Sequence, residues 1–211
     1  GRSNEAATLV EQGLAQPAGR VELLTAQADL LLAGEPDGDH VRQAIETYQE
    51  ALQTNAAHWP AAVKLVQLLL DRGQYGRALA AVDVALQYQP QIYQLQALRG
   101  AALAALGRRE DALAAYRQAI DLAPAPLSQA DPSNGPLAQL YTRLGELQLE
   151  ARNFRPAQDS FEQALRYAPD NAAAHIGLAR LHTALALRES GVAGSAAAVA
   201  TDETRFQQAS A

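Results

Sequence analysis

The feature that most constrains this chain is a spacing. A small residue, a bulky one four positions on and a second small one three beyond that occur together five times. The five sets are Ala6/Val10/Gly13, Ala44/Tyr48/Ala51, Ala78/Val82/Ala85, Ala112/Tyr116/Ala119 and Ala157/Phe161/Ala164. Their first members are 38, 34, 34 and 45 residues apart. Offsets of four and seven place all three side chains on one face of a helix. Self-similarity at such a period marks an array of stacked supersecondary units.

The excesses over 34 fall where turns belong. The first interval carries GEPDGD, from Gly34 to Asp39, and the last carries APLSQADPSNG, from Ala125 to Gly135. Both are rich in turn-forming residues. Pro90, Pro124 and Pro169 close three of the units, because proline cannot continue a helix. Each unit then reads as two antiparallel helices, A and B. Ala112 and Ala119 let helix B approach helix A at Gly100, and Tyr116 fills the space over the next unit. A single pair cannot bury its own apolar stripe, so the units must stack.

The composition agrees with helices. Hydrophobic residues make up 48% and charged residues 19% of the chain, enough apolar material for a core. An Ala-, Leu- and Gln-rich, Val-poor sequence with 5% aromatics favours helix over strand. The formal charge is −6, and Lys64 is the one lysine. That balance argues against a nucleic-acid partner, which requires clustered cations, and leaves no polybasic membrane patch. The lack of cysteine excludes thiol catalysis, disulfides and thiolate metal sites. No apolar run approaches the roughly 18 residues of a membrane span, so membrane insertion is not expected. Methionine is absent even at position 1, and Gly1-Arg2-Ser3 reads as a cloning scar before a fragment or processed chain. A missing signal peptide therefore says nothing about compartment.

Residues 138–169 carry Tyr141, the pair Leu144-Gly145, Ala157, Phe161, Ala164 and Pro169. With the 34-residue period, this pattern resembles the tetratricopeptide repeat. The resemblance implies an all-α fold, a right-handed α-solenoid of about four full repeats with flanking half-repeats. It covers residues 4–188: a half-repeat at 4–17, repeats near 21–56, 59–90, 93–124 and 137–169, and a last helix at 171–188. The tail, 189–211, begins Gly- and Ser-rich and ends in a short helical pattern, TDETRFQQA. Some positions depart from the consensus. Val66 stands where Ala28, Gly100, Gly145 and Ala179 provide a small residue elsewhere, Arg99 replaces a leucine, and Val82 replaces the aromatic.

In the resembled family, helices A line a concave groove. Its inward positions carry over to Glu22, Thr25, Asp29 and Leu32 in the first helix A. In the second they are Val63, Lys64, Gln67, Leu70 and Asp71. Gln94, Ala97, Leu98, Ala101 and Ala104 follow in the third. Gln139, Thr142, Arg143, Glu146, Leu149 and Glu150 occupy the fourth, and Arg180 the last. The small side chains of the third helix leave a shallow apolar floor, which suits a peptide or helix with apolar anchors. One subfamily holds a peptide carboxylate with asparagines on successive helices A. The matching positions here are Ala26, Lys64, Leu98 and Arg143, so that clamp is missing.

Catalytic and cofactor chemistry finds no foothold. His175 and His182 share a helix face, but a zinc site requires a third ligand, and the register makes His175 a packing position. His40 and His58 lie in turn-like segments. Neither a phosphate-binding glycine loop nor a nucleophile elbow is present. The expected function is that of a non-catalytic scaffold, with no cofactor or metal, that binds a protein or peptide partner in its groove. The Ala/Leu/Arg/Gln flavour resembles arrays in bacterial secretion, pilus and exopolysaccharide-export assemblies. Two alternatives stand beside it. One is a helper segment of a larger enzyme, and the other is self-association through the terminal half-repeat.

Overall fold

The computed structural model describes residues 19–124, 135–188 and 190. The half-repeat at 4–17, nearly all of the loop at 125–135 and the tail beyond 190 lie outside the described residues. The described residues form helices and turns, with no strand among them. The chain divides into two compact units, Gly1–Pro124 and Ala125–Ala211.

The first unit contains α1 (Arg20–Leu31), α2 (Gly38–Thr54), α3 (Trp59–Asp71), α4 (Tyr75–Tyr88), α5 (Tyr93–Ala105) and α6 (Arg109–Leu122). These are three A/B pairs joined by short turns. Each helix packs on its neighbour in sequence, and α3 also packs on α5, so these two helices A lie side by side. The second unit contains α7 (Gly135–Glu150) and α8 (Phe154–Tyr167), followed by a further helix, α9, over 172–188.

The small–bulky–small sets build the cores. Ala44, Tyr48 and Ala51 are buried, and so are their counterparts from Ala78 to Ala85, from Ala112 to Ala119 and from Ala157 to Ala164. A Cβ added to Gly100 would stand 3.0 Å from the Tyr116 ring, and one on Gly145 would stand 2.8 Å from the Phe161 ring. The aromatic of helix B therefore lies directly on the bare backbone of helix A. In the α3/α4 pair, Val66 and Val82 replace the glycine and the aromatic, and both are fully buried. Volume has moved from one side of the crossing to the other.

Three of the turns from A to B share one design. Gly73 donates to the Leu70 carbonyl at 2.9 Å and Gln74 to that of Leu69 at 2.8 Å. Gly107 and Arg108 repeat this on Ala104 and Leu103, and Arg152 and Asn153 on Leu149 and Gln148. These bonds satisfy carbonyls that the ending helix leaves open, and they require a left-handed residue at the first position. Gly73 and Gly107 take it at φ 69° and 75°; in the second unit Arg152 takes it at φ 58°.

The other ends follow from simple chemistry as well. Helices α4, α6 and α8 stop two residues before Pro90, Pro124 and Pro169. The residue before each proline has left the helical region, as steric conflict with the proline ring demands. Asp37 caps α2, its Oδ1 accepting from the amides of Asp39 and His40 at 2.9 and 2.8 Å. Those bonds, the His40 amide first, hold the Asp37 carboxyl below its ordinary range.

Candidate functional site

Helices α1, α3 and α5 carry three of the predicted groove clusters. Lys64 of α3 makes an ion pair with Asp29 of α1. The other Asp29 oxygen accepts the Tyr48 hydroxyl of α2 at 2.6 Å. One carboxylate thus ties three helices together. Burial first, and then the hydrogen bond to a carboxylate, push the Tyr48 phenol well above the ordinary tyrosine range. Thr25 is buried, its hydroxyl turned back onto the Val21 carbonyl at 2.7 Å.

Further along, Gln67 donates to Asp71 at 2.9 Å, one turn away on α3. Val63, Leu70 and Leu98 are half-buried against the core of this unit. Gln94, Ala97, Ala101 and Ala104 are half-buried too. The third cluster is therefore small-sided and partly open, while Lys64 is engaged with Asp29. Arg99, the residue that displaces the expected leucine, reaches Asp83 of α4 at 2.7 Å. The guanidinium is thus matched by a carboxylate on helix B of the preceding pair.

In the second unit, Arg143 pairs with Glu146 at 2.9 Å, and Glu150 is exposed at the end of α7. Thr142 requires a correction. Its side chain is buried, donating to the Ala138 carbonyl at 2.8 Å and accepting from Asn171 at 3.1 Å. A threonine mid-helix satisfies its hydroxyl on the preceding turn, which takes Thr142 off any accessible face. The two histidines of α9 are both exposed, and His175 Nε2 lies 2.9 Å from the Pro169 carbonyl.

One arrangement escaped the sequence reading. The close approach on α9 is at Gly177, not at Ala179. A Cβ on Gly177 would fall 2.3 Å from the Phe161 ring, whereas Ala179 is exposed. The 34-residue register marks the contact of a helix A with its own helix B. Phe161 belongs to the preceding helix B, which meets α9 at a different position. A second feature, a cleft on α2 and the α3–α4 turn, also lay outside the groove reading.

Three family models, each described as tetratricopeptide repeat, match residues 39–101, 93–126 and 142–202. The stacked pairs, the small–aromatic crossings and these matches agree: the chain belongs to the tetratricopeptide repeat family. It has the all-α solenoid fold of that family, whose members bind protein partners and are typically non-catalytic. Its role is in protein–protein interaction.

Among solved structures, the chain is similar to a crystal structure of MamA, at 18% identity and a TM-score of 0.60, over 73% of this chain and 84% of that one. A MamA structure from Desulfovibrio magneticus, beginning at residue 41, matches at 16% identity and a TM-score of 0.56, over 81% and 97%. A thermophilic tetratricopeptide repeat protein of Thermus thermophilus matches at 22% identity and a TM-score of 0.60, over 87% and 91%. At these identities the likeness is one of fold alone. No curated protein sequence matches. No helix among the described residues is long and apolar enough to cross a membrane.

Proposed function

We propose that this chain is a non-catalytic scaffold that holds a peptide or helix of a partner protein against its helices A, within a bacterial multiprotein assembly. The observation that carries this reading is the row of half-buried apolar side chains on α3 and α5, namely Val63, Leu70, Ala97, Leu98 and Ala101. These helices pack against each other. It is too open for a core and too apolar to be left to water, which suits the anchors of an amphipathic segment. Lys64 and Asp29 beside it supply one charge of each sign to fix orientation. Arg143, Glu146 and Glu150 offer a second set of charges on α7. The assembly is of the secretion, pilus or exopolysaccharide-export kind, an assignment supported by the Ala/Leu/Arg/Gln character of the repeats.

The test is capture of partners from the source organism by four proteins: wild type, Leu98→Glu, Arg143→Glu and Val84→Glu. Val84 is 53% exposed on the helix B α4 and serves as a control. A protein retained by wild type and Val84→Glu but lost from Leu98→Glu supports the reading. Loss from Arg143→Glu as well would show that the second unit takes part in binding. Equal recovery by all four would place binding away from helices A and overturn the proposal.

A further inference from the structure

Cations are few on this chain, and its net charge is −6. Three of its arginines nevertheless meet around one cleft of about 500 Å³, formed by α2 and the α3–α4 turn. Arg42, Arg72, Arg77 and Glu46 line it, and the buried Val41 and Ile45 lie behind them. Gln74 also lines it, and no predicted groove residue does.

The commitments of those arginines are weak. Arg42 pairs with Asp39 at 2.6 Å on the same helix, with both side chains mostly in water, an arrangement of little energetic value. Arg77 donates to the neutral amide of Gln74 at 2.6 Å. Arg72 has no side-chain partner among the described residues, and it is exposed. With Asp39 and Glu46 set against the three guanidinium groups, one positive charge is left over, focused by the walls of a concave site. Guanidinium is the group best shaped to take carboxylates two bonds at a time.

We propose that this cleft is a second docking site, separate from helices A, for a short acidic peptide segment of a partner protein. Its carboxylates meet Arg72 and Arg77. The volume and the spread of the arginines set the ligand class. A cleft of this size accommodates several groups, so a segment carrying more than one carboxylate fills it better than a single inorganic anion. Glu46 in the lining and Asp39 beside it disfavour a continuous polyanion such as nucleic acid, which gains its affinity by releasing counterions along a cationic track.

The full chain, labelled with nitrogen-15, is titrated with a blocked octapeptide of alternating acidic residues and leucine. A peptide with lysine at the acidic positions and inorganic phosphate serve as comparisons. Saturable shifts at the amides of Gly38, Arg42, Gln74 and Arg77 are expected with the acidic peptide, and none with the lysine peptide. The Arg72→Gln/Arg77→Gln variant should bind at least about fivefold more weakly, and added salt should weaken wild-type binding. Leu98→Glu should leave these shifts in place, so failure of the groove reading would not be mistaken for failure here. Both arginines are exposed, and an unchanged far-ultraviolet melt confirms that the double variant is folded. If its melt is lowered, Arg72→Gln alone takes its place. The proposal is overturned if the acidic peptide moves only α3 and α5 amides, or if the arginine variants bind it equally. Equal saturation by phosphate would also overturn it, by reducing the cleft to a small-anion site.

Discussion

The Phe161 ring leaves no room for a side chain at Gly177: a Cβ there would lie 2.3 Å from Cε1 and 2.4 Å from Cζ. The same ring would stand 2.8 Å from a Cβ on Gly145. One aromatic of α8 is thus held between the backbones of α7 and α9. Phe161 is fully buried, and a close-packed interior gives its ring nowhere to turn. Gly177→Ala is expected to destabilise the second unit by about 1–3 kcal/mol, overpacking outweighing a gain of about 1 kcal/mol in helix propensity. Phe161→Leu should relieve part of that, leaving the double variant less destabilised than the sum of the singles. Urea melts of the four proteins measure the coupling. Additivity would mean that ring and backbone do not touch.

A related exchange of volume governs Val66 and Val82. They hold the registers of Gly100 and Tyr116, and both are fully buried. Val82→Tyr alone should cost about 1–3 kcal/mol, since a ring is added opposite a side chain instead of bare backbone. Adding Val66→Gly should recover part of the loss, limited by the roughly 1 kcal/mol that glycine costs within a helix. Chemical denaturation checks the pair, and no recovery would show that the repeats do not share one crossing geometry.

These crossings also show what the sequence discloses. Ala112, Tyr116 and Ala119 announce a buried face because one helix period places them together, and the structure buries all three. Pro90 and Pro124 mark helix ends for equally local reasons. Gly177 was not legible, because the repeat register reports contacts within a unit and Phe161 reaches into the next helix. Thr142 was misplaced because helical position cannot reveal that its hydroxyl turns back onto Ala138 while Asn171 closes over it. The arginine cleft left no trace in any spacing: Arg42 and Arg72 come from different units of the repeat and are brought together only by stacking.

The burial of Tyr48, with the Asp29 carboxylate accepting its hydroxyl, gives the first unit an alkaline limit. The Tyr48 phenol is raised in the fold above its ordinary value near 10, so folding favours its protonated form. The stability this contributes is fully present below about pH 10 and is lost as pH rises through the folded value. Tyr48→Phe should lower stability by about 1–2 kcal/mol at neutral pH, by removing a hydrogen bond to a charged group. It should also flatten the alkaline decline. Melts of both proteins between neutral and strongly alkaline pH decide this, and an equal decline in the variant would remove Tyr48 as its source.

The A-to-B turns carry a last test, because the second unit solves with arginine what the first solves with glycine. Gly73 and Gly107 occupy the left-handed position at φ 69° and 75°, and Arg152 does so at φ 58°. For a residue with a Cβ that conformation costs roughly 1–2 kcal/mol. Arg152→Gly removes the strain but gives the unfolded chain more freedom, a loss of about 0.5–1 kcal/mol. The net expectation is a second unit more stable by about 0.5 kcal/mol, seen as a small rise in its melting temperature. Gly107→Ala, which introduces the same strain into the first unit, should destabilise by about 1 kcal/mol. If Arg152→Gly is destabilising while Gly107→Ala is harmless, the left-handed residue is not what limits these turns. The paired bonds to Leu149 and Gln148, and to Ala104 and Leu103, would then set their stability.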